Sequence, residues 1–286
     1  MYIISFDGTK IWYKIKRKNK PFLIFIHGWA NDWTTWKKEI TFFERKGYST
    51  LALDLRGHGR SDKPEEKKKY ELKCFAKDIY EIIKKENVNN FVLIGHSMGG
   101  MIALEYYKLF NKEKYNKGLI LCDTTCKNVL EHKKINFISP FIKHVLDFII
   151  SHEHINKEHF RHLKDIDLTN YKHASDYVIF YEGLHNTPMK SVFSCMESMM
   201  KFDASSILRK INVPVLILEG DEDKLLPKID SIQLYHEIKN AEIDFIPKGR
   251  HFINLESPQL VDKYIFNFLQ KHNLEVSLSR MKKSSK

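Results

Sequence analysis

The chain has 286 residues, of which 43% are apolar and 29% charged, so it can bury a sizeable core. This composition excludes a collagen-like, low-complexity or wholly disordered chain. The net charge of +11, from 47 Lys and Arg against 36 Asp and Glu, raises nucleic acid or an anionic membrane as a partner. However, only 8 of the 47 basic residues are Arg, the type that binds phosphate bidentately. We therefore expect a lysine-coated surface and no specific nucleic-acid partner.

The cysteines and the hydropathy indicate a protein of a reducing compartment. Four cysteines are too few for a disulfide scaffold, and Cys122 and Cys126 match no common zinc pattern. The N-terminal residues lack the basic and long apolar regions of a signal peptide. The sequence has no run of about 18 apolar residues, which a transmembrane helix would need. We expect a cytoplasmic protein with no transmembrane segment, for which a homodimer is one possible oligomeric state.

Strand and helix patterns alternate along most of the chain. A hairpin is predicted first, turning at Asp7-Gly8. Continuous apolar runs then indicate strands buried on both faces, and helical spacing of apolar residues fills the gaps between them. This alternation predicts an α/β fold with a mostly parallel sheet. The apolar runs are Phe22–Ile26, Thr50–Leu53, Phe91–Ile94, Leu119–Leu121, Val213–Leu218 and Ile243–Ile246.

One long segment interrupts the alternation. Residues 126–207 show helical patterns only, including a helix start at Ser139-Pro140, and 80 residues or so are too many for a plain connection. We expect a helical cap at 126–207, inserted into a core made of 1–125 and 208–275. The basic stretch 276–286 is expected to be a disordered tail.

The strongest chemical signal is Gly95-His96-Ser97-Met98-Gly99, a G-x-S-x-G motif between a buried strand and an amphipathic helix. The tight turn from strand to helix requires small residues two positions before and two after the serine. Ser97 is thereby predicted as a nucleophile at a helix N-terminus, in a strained backbone conformation. The backbone N–H of Met98 is then placed to stabilise an oxyanion. The alternative is a turn with a structural role only.

A serine nucleophile needs a base and an orienting carboxylate. His251 lies on the loop after the last predicted strand, at the same sheet end as Ser97, whereas most other histidines fall in the insertion or near the N-terminal strands. Three carboxylates also follow strands at that end and keep the order Ser, Asp, His along the chain. These candidate acids are Asp123, Asp221 and Asp223.

Taken together, these motifs resemble the α/β-hydrolase superfamily, in its capped esterase, lipase and cofactor-free haloperoxidase-like branch. The resemblance spans nearly the whole chain and implies an eight-stranded, mostly parallel sheet flanked by helices. Its Gly-x-x-Asp-x-x-x-Pro pattern is matched at Gly220, Asp223 and Pro227, which selects Asp223 as the acid. Arg250, before the base, stands where a small residue is more usual in the family.

The resemblance also implies an oxyanion site and a substrate wall. The turn His27-Gly28-Trp29 matches a family motif, which makes the Trp29 N–H the second oxyanion donor and its indole a wall of the acyl site. Phe252, beside the base, is a second substrate-binding candidate. The loop from Asp54 to Asp62 matches a family loop that braces the site, and His27 is expected to be structural.

These expectations combine into a cofactor-free and metal-free serine hydrolase acting on small, lipophilic carboxylic esters with short-to-medium acyl groups. Lactone hydrolysis and carbon–carbon bond hydrolysis use the same triad and stay open. Epoxide hydrolases and haloalkane dehalogenases of this fold have Asp where Ser97 stands, which argues against both. A ligand-binding, receptor-like protein with slow turnover is the alternative outside enzymology.

Overall fold

The computed structural model describes residues 1–128, 167–171 and 176–275. The predicted helix at Ser139-Pro140 and the predicted tail 276–286 lie outside the described residues. So does a large part of the predicted cap.

The described residues form one eight-stranded sheet in the order β1-β2-β4-β3-β5-β6-β7-β8. The β1–β2 and β2–β4 pairs are antiparallel and the remaining pairs are parallel. The prediction of an eight-stranded, mostly parallel sheet is therefore confirmed. The strands are β1 (Tyr2–Ile4), β2 (Lys10–Lys16), β3 (Lys20–Ile26), β4 (Tyr48–Leu53), β5 (Phe91–His96), β6 (Asn116–Cys122), β7 (Val215–Gly220) and β8 (Ala241–Ile246).

Helices connect the parallel strands, and more of them follow β6. Numbered among the described residues, they are α1 (Lys37–Arg45), α2 (Leu72–Lys85), α3 (Met98–Phe110), α4 (Asp176–Gly183), α5 (Met189–Met200), α6 (Ser205–Leu208), α7 (Lys228–Glu237), α8 (Ile253–Glu256) and α9 (Pro258–Lys271). Short 3-10 helices at Trp33–Trp36 and Leu168–Tyr171 lie against each other.

Each face of the sheet carries its own apolar core. All six residues of β4, β5 and β7 are buried, which is why these strands read as unbroken apolar runs. One core packs α2 and α3 against the sheet, and the other packs α1 and α9. Among the apolar residues predicted at helical spacing, those of α2 (Phe75, Ile79, Ile82 and Ile83) are buried. Other members of the predicted helix faces are exposed: Leu109, Val178, Tyr181, Met200 and Leu260.

The described helices after β6 contact the loops that surround the carboxyl end of the sheet. The Trp29 indole donates a hydrogen bond to the Val192 carbonyl on α5, at 3.0 Å. The hydroxyls of Tyr70 and Ser191 lie 2.8 Å apart. A side chain at Gly183 would collide with the Ala30 carbonyl, so α4 needs glycine to approach this loop.

The four cysteines are buried and unpaired. Across the part of the chain that the structure describes, no helix has both the length and the apolar character needed to cross a bilayer.

Candidate active site

Ser97 lies in the one-residue turn between β5 and α3, with φ 52° and ψ −118°. This conformation is costly for a residue with a side chain, and surrounding hydrogen bonds hold it in place. The Ser97 N–H donates to the Cys122 carbonyl at 2.9 Å, and the Thr124 hydroxyl donates to the Ser97 carbonyl at 2.7 Å. The serine is therefore fixed at the carboxyl edge of the sheet, as the motif predicts.

The two motif glycines make this turn possible. A Cβ on Gly95 would lie 2.3 Å from the Gly99 carbonyl oxygen, and a Cβ on Gly99 would lie 2.3 Å from the Ile26 carbonyl oxygen. Both obstacles are backbone atoms, which cannot move aside as a flexible side chain can. The spacing of the motif therefore reflects close contact between α3 and the strands β3 and β5.

The structure brings the predicted base and acid together with the serine. His251 Nε2 lies 3.0 Å from Ser97 Oγ, and His251 Nδ1 lies 2.8 Å from Asp223 Oδ2. Asp223 Oδ1 accepts hydrogen bonds from the N–H groups of Leu225 and Leu226, at 2.6 and 3.0 Å. A carboxylate with these partners is held in one orientation toward the imidazole.

The other candidate acids make different contacts. Asp123 Oδ1 accepts a hydrogen bond from the Gly220 N–H at 2.8 Å. The Asp221 carboxylate has an oxygen with no partner among the described residues. Of the three carboxylates that the chain order allowed, Asp223 is the one within hydrogen-bond distance of His251.

The charge of Asp223 sets the basicity of His251. Burial alone would lower the pKa of the imidazole, but the attraction and hydrogen bond of Asp223 outweigh it, with smaller help from Asp176 and Glu219. The net pKa of His251 lies above its ordinary value of 6.5. The site therefore favours an imidazolium, the species that forms when a histidine takes a proton from serine.

Asp123, Glu219 and Asp223 form a buried acidic cluster, with one carboxylate oxygen of each within 4.8 Å of the others. Among the described residues, this is the group close enough to hold a metal ion. Burial and neighbouring negative charges raise the pKa of Asp123 far above its usual range and that of Glu219 to about 8. Burial and mutual repulsion thus favour the protonated forms of Asp123 and Glu219.

His96, between Gly95 and the serine, contacts the loop of the base. Its Nε2 lies 2.6 Å from the backbone carbonyl of His251. Because a carbonyl oxygen can only accept a hydrogen bond, Nε2 carries the hydrogen of the neutral ring and Nδ1 is unprotonated. Burial and the nearby charge of His251 lower the pKa of His96 to about 3, so its ring is neutral at working pH. Sequence reasoning treated this position as a variable residue of the motif and missed the contact.

The predicted oxyanion donors lie on two fixed backbone segments. Met98 begins α3, so its N–H has no helical carbonyl to bind. His27 Nδ1 donates to the Gly28 carbonyl at 2.8 Å. Since a trans peptide directs its N–H opposite to its carbonyl, this bond fixes the orientation of the Trp29 N–H. His27 is thus a structural residue, as expected.

The family loop at Asp54–Asp62 braces the same turn. His58 Nε2 accepts a hydrogen bond from the Ala30 N–H at 3.2 Å, and the ring centroids of His27 and His58 are 5.3 Å apart. Burial lowers the pKa of both histidines, to about 4 for His58, so they stay neutral. Arg250, the departure from the family pattern, forms an ion pair with Glu256 at 2.8 Å.

A small cavity of about 30 Å³ opens beside the nucleophile. Both predicted substrate-binding residues, Trp29 and Phe252, line it. The ring of Phe252 lies edge-on to that of His251, with 5.4 Å between the ring centroids. Asn31 and Leu225 are further wall residues that sequence reasoning did not find. The described residues that line the cavity are Trp29, Asn31, His96, Ser97, Leu225, His251 and Phe252.

A carboxylate from α4 also reaches the base. Asp176 accepts a hydrogen bond from the backbone N–H of His251, and burial raises the pKa of Asp176. The sequence carries no local signal for this contact, because 75 positions separate the two residues.

Comparisons with known proteins agree with this fold and site. The family model described as serine aminopeptidase, S33 (Hydrolase_4), matches residues 17–258. The chain belongs to this family of the α/β-hydrolase superfamily.

Several known proteins are similar to this α/β hydrolase over nearly its full length. A putative non-heme chloroperoxidase from Synechocystis is 25% identical over 268 residues, covering 91% of this chain and 95% of that protein. Epoxide hydrolase 3 of Xenopus tropicalis is 26% identical, covering 88% of this chain and 72% of that protein. The esterase structure from Exiguobacterium antarcticum superposes with a TM-score of 0.75 at 20% identity, covering 94% and 99% of the two chains. The predicted superfamily and fold are therefore confirmed.

Proposed function

We propose that this α/β hydrolase cleaves carboxylic esters of small molecules through an acyl-enzyme on Ser97. The observation that carries the proposal is the continuous hydrogen-bonded line from Ser97 Oγ through His251 to Asp223, at 3.0 and 2.8 Å. These distances are within the range required for a nucleophile and its base. The esterase named among the similar structures supports the same chemistry.

In the proposed reaction, His251 Nε2 takes the hydroxyl proton while Ser97 Oγ attacks the ester carbonyl carbon. Asp223 holds the hydrogen on Nδ1 and stabilises the imidazolium. The imidazolium then gives its proton to the leaving alkoxide, and an alcohol departs. Water, deprotonated by His251, attacks the acyl-enzyme and releases the acid. These reaction steps need no metal or organic cofactor.

The N–H groups of Met98 and Trp29 are the proposed oxyanion donors. Both belong to backbone that is fixed before substrate binds, so little reorganisation is needed as the negative charge develops. Trp29 and Phe252 are proposed to form the substrate wall. We also propose that residues 126–207 cap the site, because Val192 and Ser191 on α5 contact its rim.

Ser97 distinguishes this proposal from the epoxide hydrolases among the relatives. In the resemblance drawn from the sequence, those enzymes have an aspartate nucleophile at this position. A serine gives an acyl-enzyme, whereas a carboxylate would give the alkyl-enzyme that epoxide opening requires. Lactones are cyclic esters and follow the same proposed steps.

The proposal is tested with p-nitrophenyl acetate, butyrate and octanoate under stopped-flow conditions. We expect a burst of p-nitrophenol equivalent to the enzyme concentration, followed by slower turnover. Ser97→Ala is expected to abolish both phases. Ser205→Ala on α6, which lies outside the site, is the matched control and is expected to behave as the parent.

Two outcomes would contradict the proposal. Ester hydrolysis that persists in Ser97→Ala would mean that another group performs the reaction. Saturable ligand binding without turnover on any ester or lactone would favour a receptor-like protein.

A further inference from the structure

Asn31 lines the active-site cavity and carries a hydrogen-bond acceptor that no described residue uses. Its side chain is 2% exposed and lines the same cavity as Ser97 and His251. The amide nitrogen donates to the Trp29 carbonyl at 3.0 Å. The amide oxygen, Oδ1, has no partner among the described residues.

The orientation of this amide is fixed by its surroundings. A flipped amide would place Oδ1 against the Trp29 carbonyl, which can only accept, so Nδ2 must be the end that faces Trp29. On one side of Asn31, the Ala30 N–H is held by His58 and Ala30 has φ 55°. On the other side, Asp32 accepts from the Thr34 N–H at 2.8 Å. Oδ1 therefore has little freedom to find a partner elsewhere.

Such an acceptor indicates a donor on the ligand. Buried polar atoms in folded proteins almost always have a hydrogen-bond partner, and an exception calls for an explanation. Leu225 and Phe252 offer only apolar side chains to the cavity. His96 Nδ1 is also unpartnered, but it faces Gly28, where a Cβ would lie only 2.8 Å away. Among the described residues that line the cavity, Asn31 Oδ1 is the unpartnered side-chain acceptor that remains for a bound substrate.

We propose that Asn31 selects esters whose acyl group carries a hydroxyl next to the reacting carbonyl, by accepting the hydrogen bond of that hydroxyl on Oδ1. This inference rests on the proposed function and names its substrate class. The acyl side is favoured because Asn31 follows, by two residues, the proposed oxyanion donor Trp29. The cavity of about 30 Å³ exceeds the roughly 10–15 Å³ that one water-sized group needs, so it can accept a short, polar acyl substituent.

The test compares three p-nitrophenyl esters that share a leaving group: glycolate, methoxyacetate and propionate. Glycolate carries the donor, methoxyacetate has a similar electron-withdrawing oxygen without a donor, and propionate has a methyl in its place. Each kcat/KM is divided by the hydroxide-catalysed rate constant of the same ester, which removes intrinsic reactivity. We expect the enzyme to prefer glycolate roughly tenfold or more over both others, because a site built for a hydroxyl rejects analogues without one.

The variant Asn31→Leu removes the acceptor and keeps a similar volume. The glycolate preference is expected to fall to about one, whatever happens to the overall rate, because a ratio within one variant cancels general damage. Leu225→Met, which alters the apolar wall and leaves the acceptor, is the matched control and is expected to keep the preference.

The outcomes separate this inference from the proposed function. Hydrolysis that depends on Ser97 but shows no glycolate preference, or a preference that survives in Asn31→Leu, would overturn the inference alone. The parent-enzyme comparison decides the question even if Asn31→Leu does not fold. A preference shown equally by methoxyacetate would mean that polarity, not donation, is recognised, and would also overturn it. No turnover on any ester would overturn both.

Discussion

The imidazole of His96 donates a hydrogen bond to the backbone carbonyl of His251 at 2.6 Å, so the residue beside the proposed nucleophile holds the residue that would deprotonate it. The His96 ring also lies 5.0 Å from that of His251 and 5.2 Å from that of Phe252. Nε2 carries a hydrogen both in this neutral tautomer and in the imidazolium, so the bond does not depend on the protonation state of His96. This contact links the serine turn directly to the loop of the base.

Removal of this bond is expected to misplace the base. In His96→Met, which lacks a donor, kcat on p-nitrophenyl butyrate should fall roughly 10- to 100-fold with a smaller change in KM, since small displacements at a reacting centre have effects of this size. His96→Gln retains a terminal N–H donor and should recover most of kcat. Equal losses in both variants, at unchanged thermal stability, would show that the donor is not the cause.

The raised pKa of His251 predicts the acid limb of the pH–rate profile. The base must be neutral to act, so kcat/KM should rise with pH through an apparent pKa above 6.5. In Asp223→Asn, burial is no longer opposed by the carboxylate, so the limb should move to lower pH. The plateau should fall by roughly 10³- to 10⁴-fold, as expected when a triad histidine loses its orienting acid.

The alternative acids provide the control for this experiment. Asp221→Asn should leave the acid limb in place, because Asp221 is not within bonding distance of His251 in the structure. If Asp221→Asn shifted the limb as Asp223→Asn does, the assignment of the acid would be wrong.

The candidate nucleophile and base could be predicted from sequence because each has a strong local signal. Ser97 has glycines on both sides and a strand before it, and His251 follows the last strand. The choice among Asp123, Asp221 and Asp223 could not be made from position, since all three follow parallel strands that end at one edge. Only the family pattern singled out Asp223, and the geometry agrees.

The glycine at the end of β5 should not tolerate a side chain. In Gly95→Ala, the new Cβ would meet the Gly99 backbone at 2.3 Å, so we expect a loss of more than about 3 kcal/mol in the free energy of unfolding, beyond ordinary overpacking. Urea unfolding measures this loss. Gly47→Asn is the control, because a Cβ there would meet only the flexible Lys20 side chain at 4.0 Å, and asparagine tolerates positive φ such as the 86° of Gly47.

Asp262 on α9 should make stability depend on pH. Burial raises its pKa to about 7, and Glu39 on α1 is a second buried carboxyl facing it. An unfolded chain releases this proton near pH 4, so stability falls as pH rises from about 4 to 7. Asp262→Asn removes that loss. The free energy of unfolding of the variant minus that of the parent should therefore be about 2–4 kcal/mol larger at pH 8 than at pH 4.

Asp203 offers a control of opposite sign. Hydrogen bonds from Ser205 lower the pKa of this carboxyl, so its contribution is present at neutral pH and lost in acid. Asp203→Asn should therefore be no more stable than the parent at pH 8. A gain there that matched Asp262→Asn would contradict the assignment.

The residues that sequence reasoning missed act through contacts between distant segments. Asp176 reaches the His251 backbone from α4, and Asn31 matters only because the fold encloses its oxygen. His96 was visible in the motif, but its role depends on where the β8–α8 loop returns. Residue type and local spacing do not predict such contacts between distant segments.

We propose that Ser97 is a nucleophile activated by His251. Intact-protein mass spectrometry after treatment with a fluorophosphonate tests it most directly. We predict a single adduct, mapped to the Ser97 peptide, that is absent in Ser97→Ala and formed far more slowly in His251→Ala. Labelling at another residue, or equal labelling of all three proteins, would contradict the account.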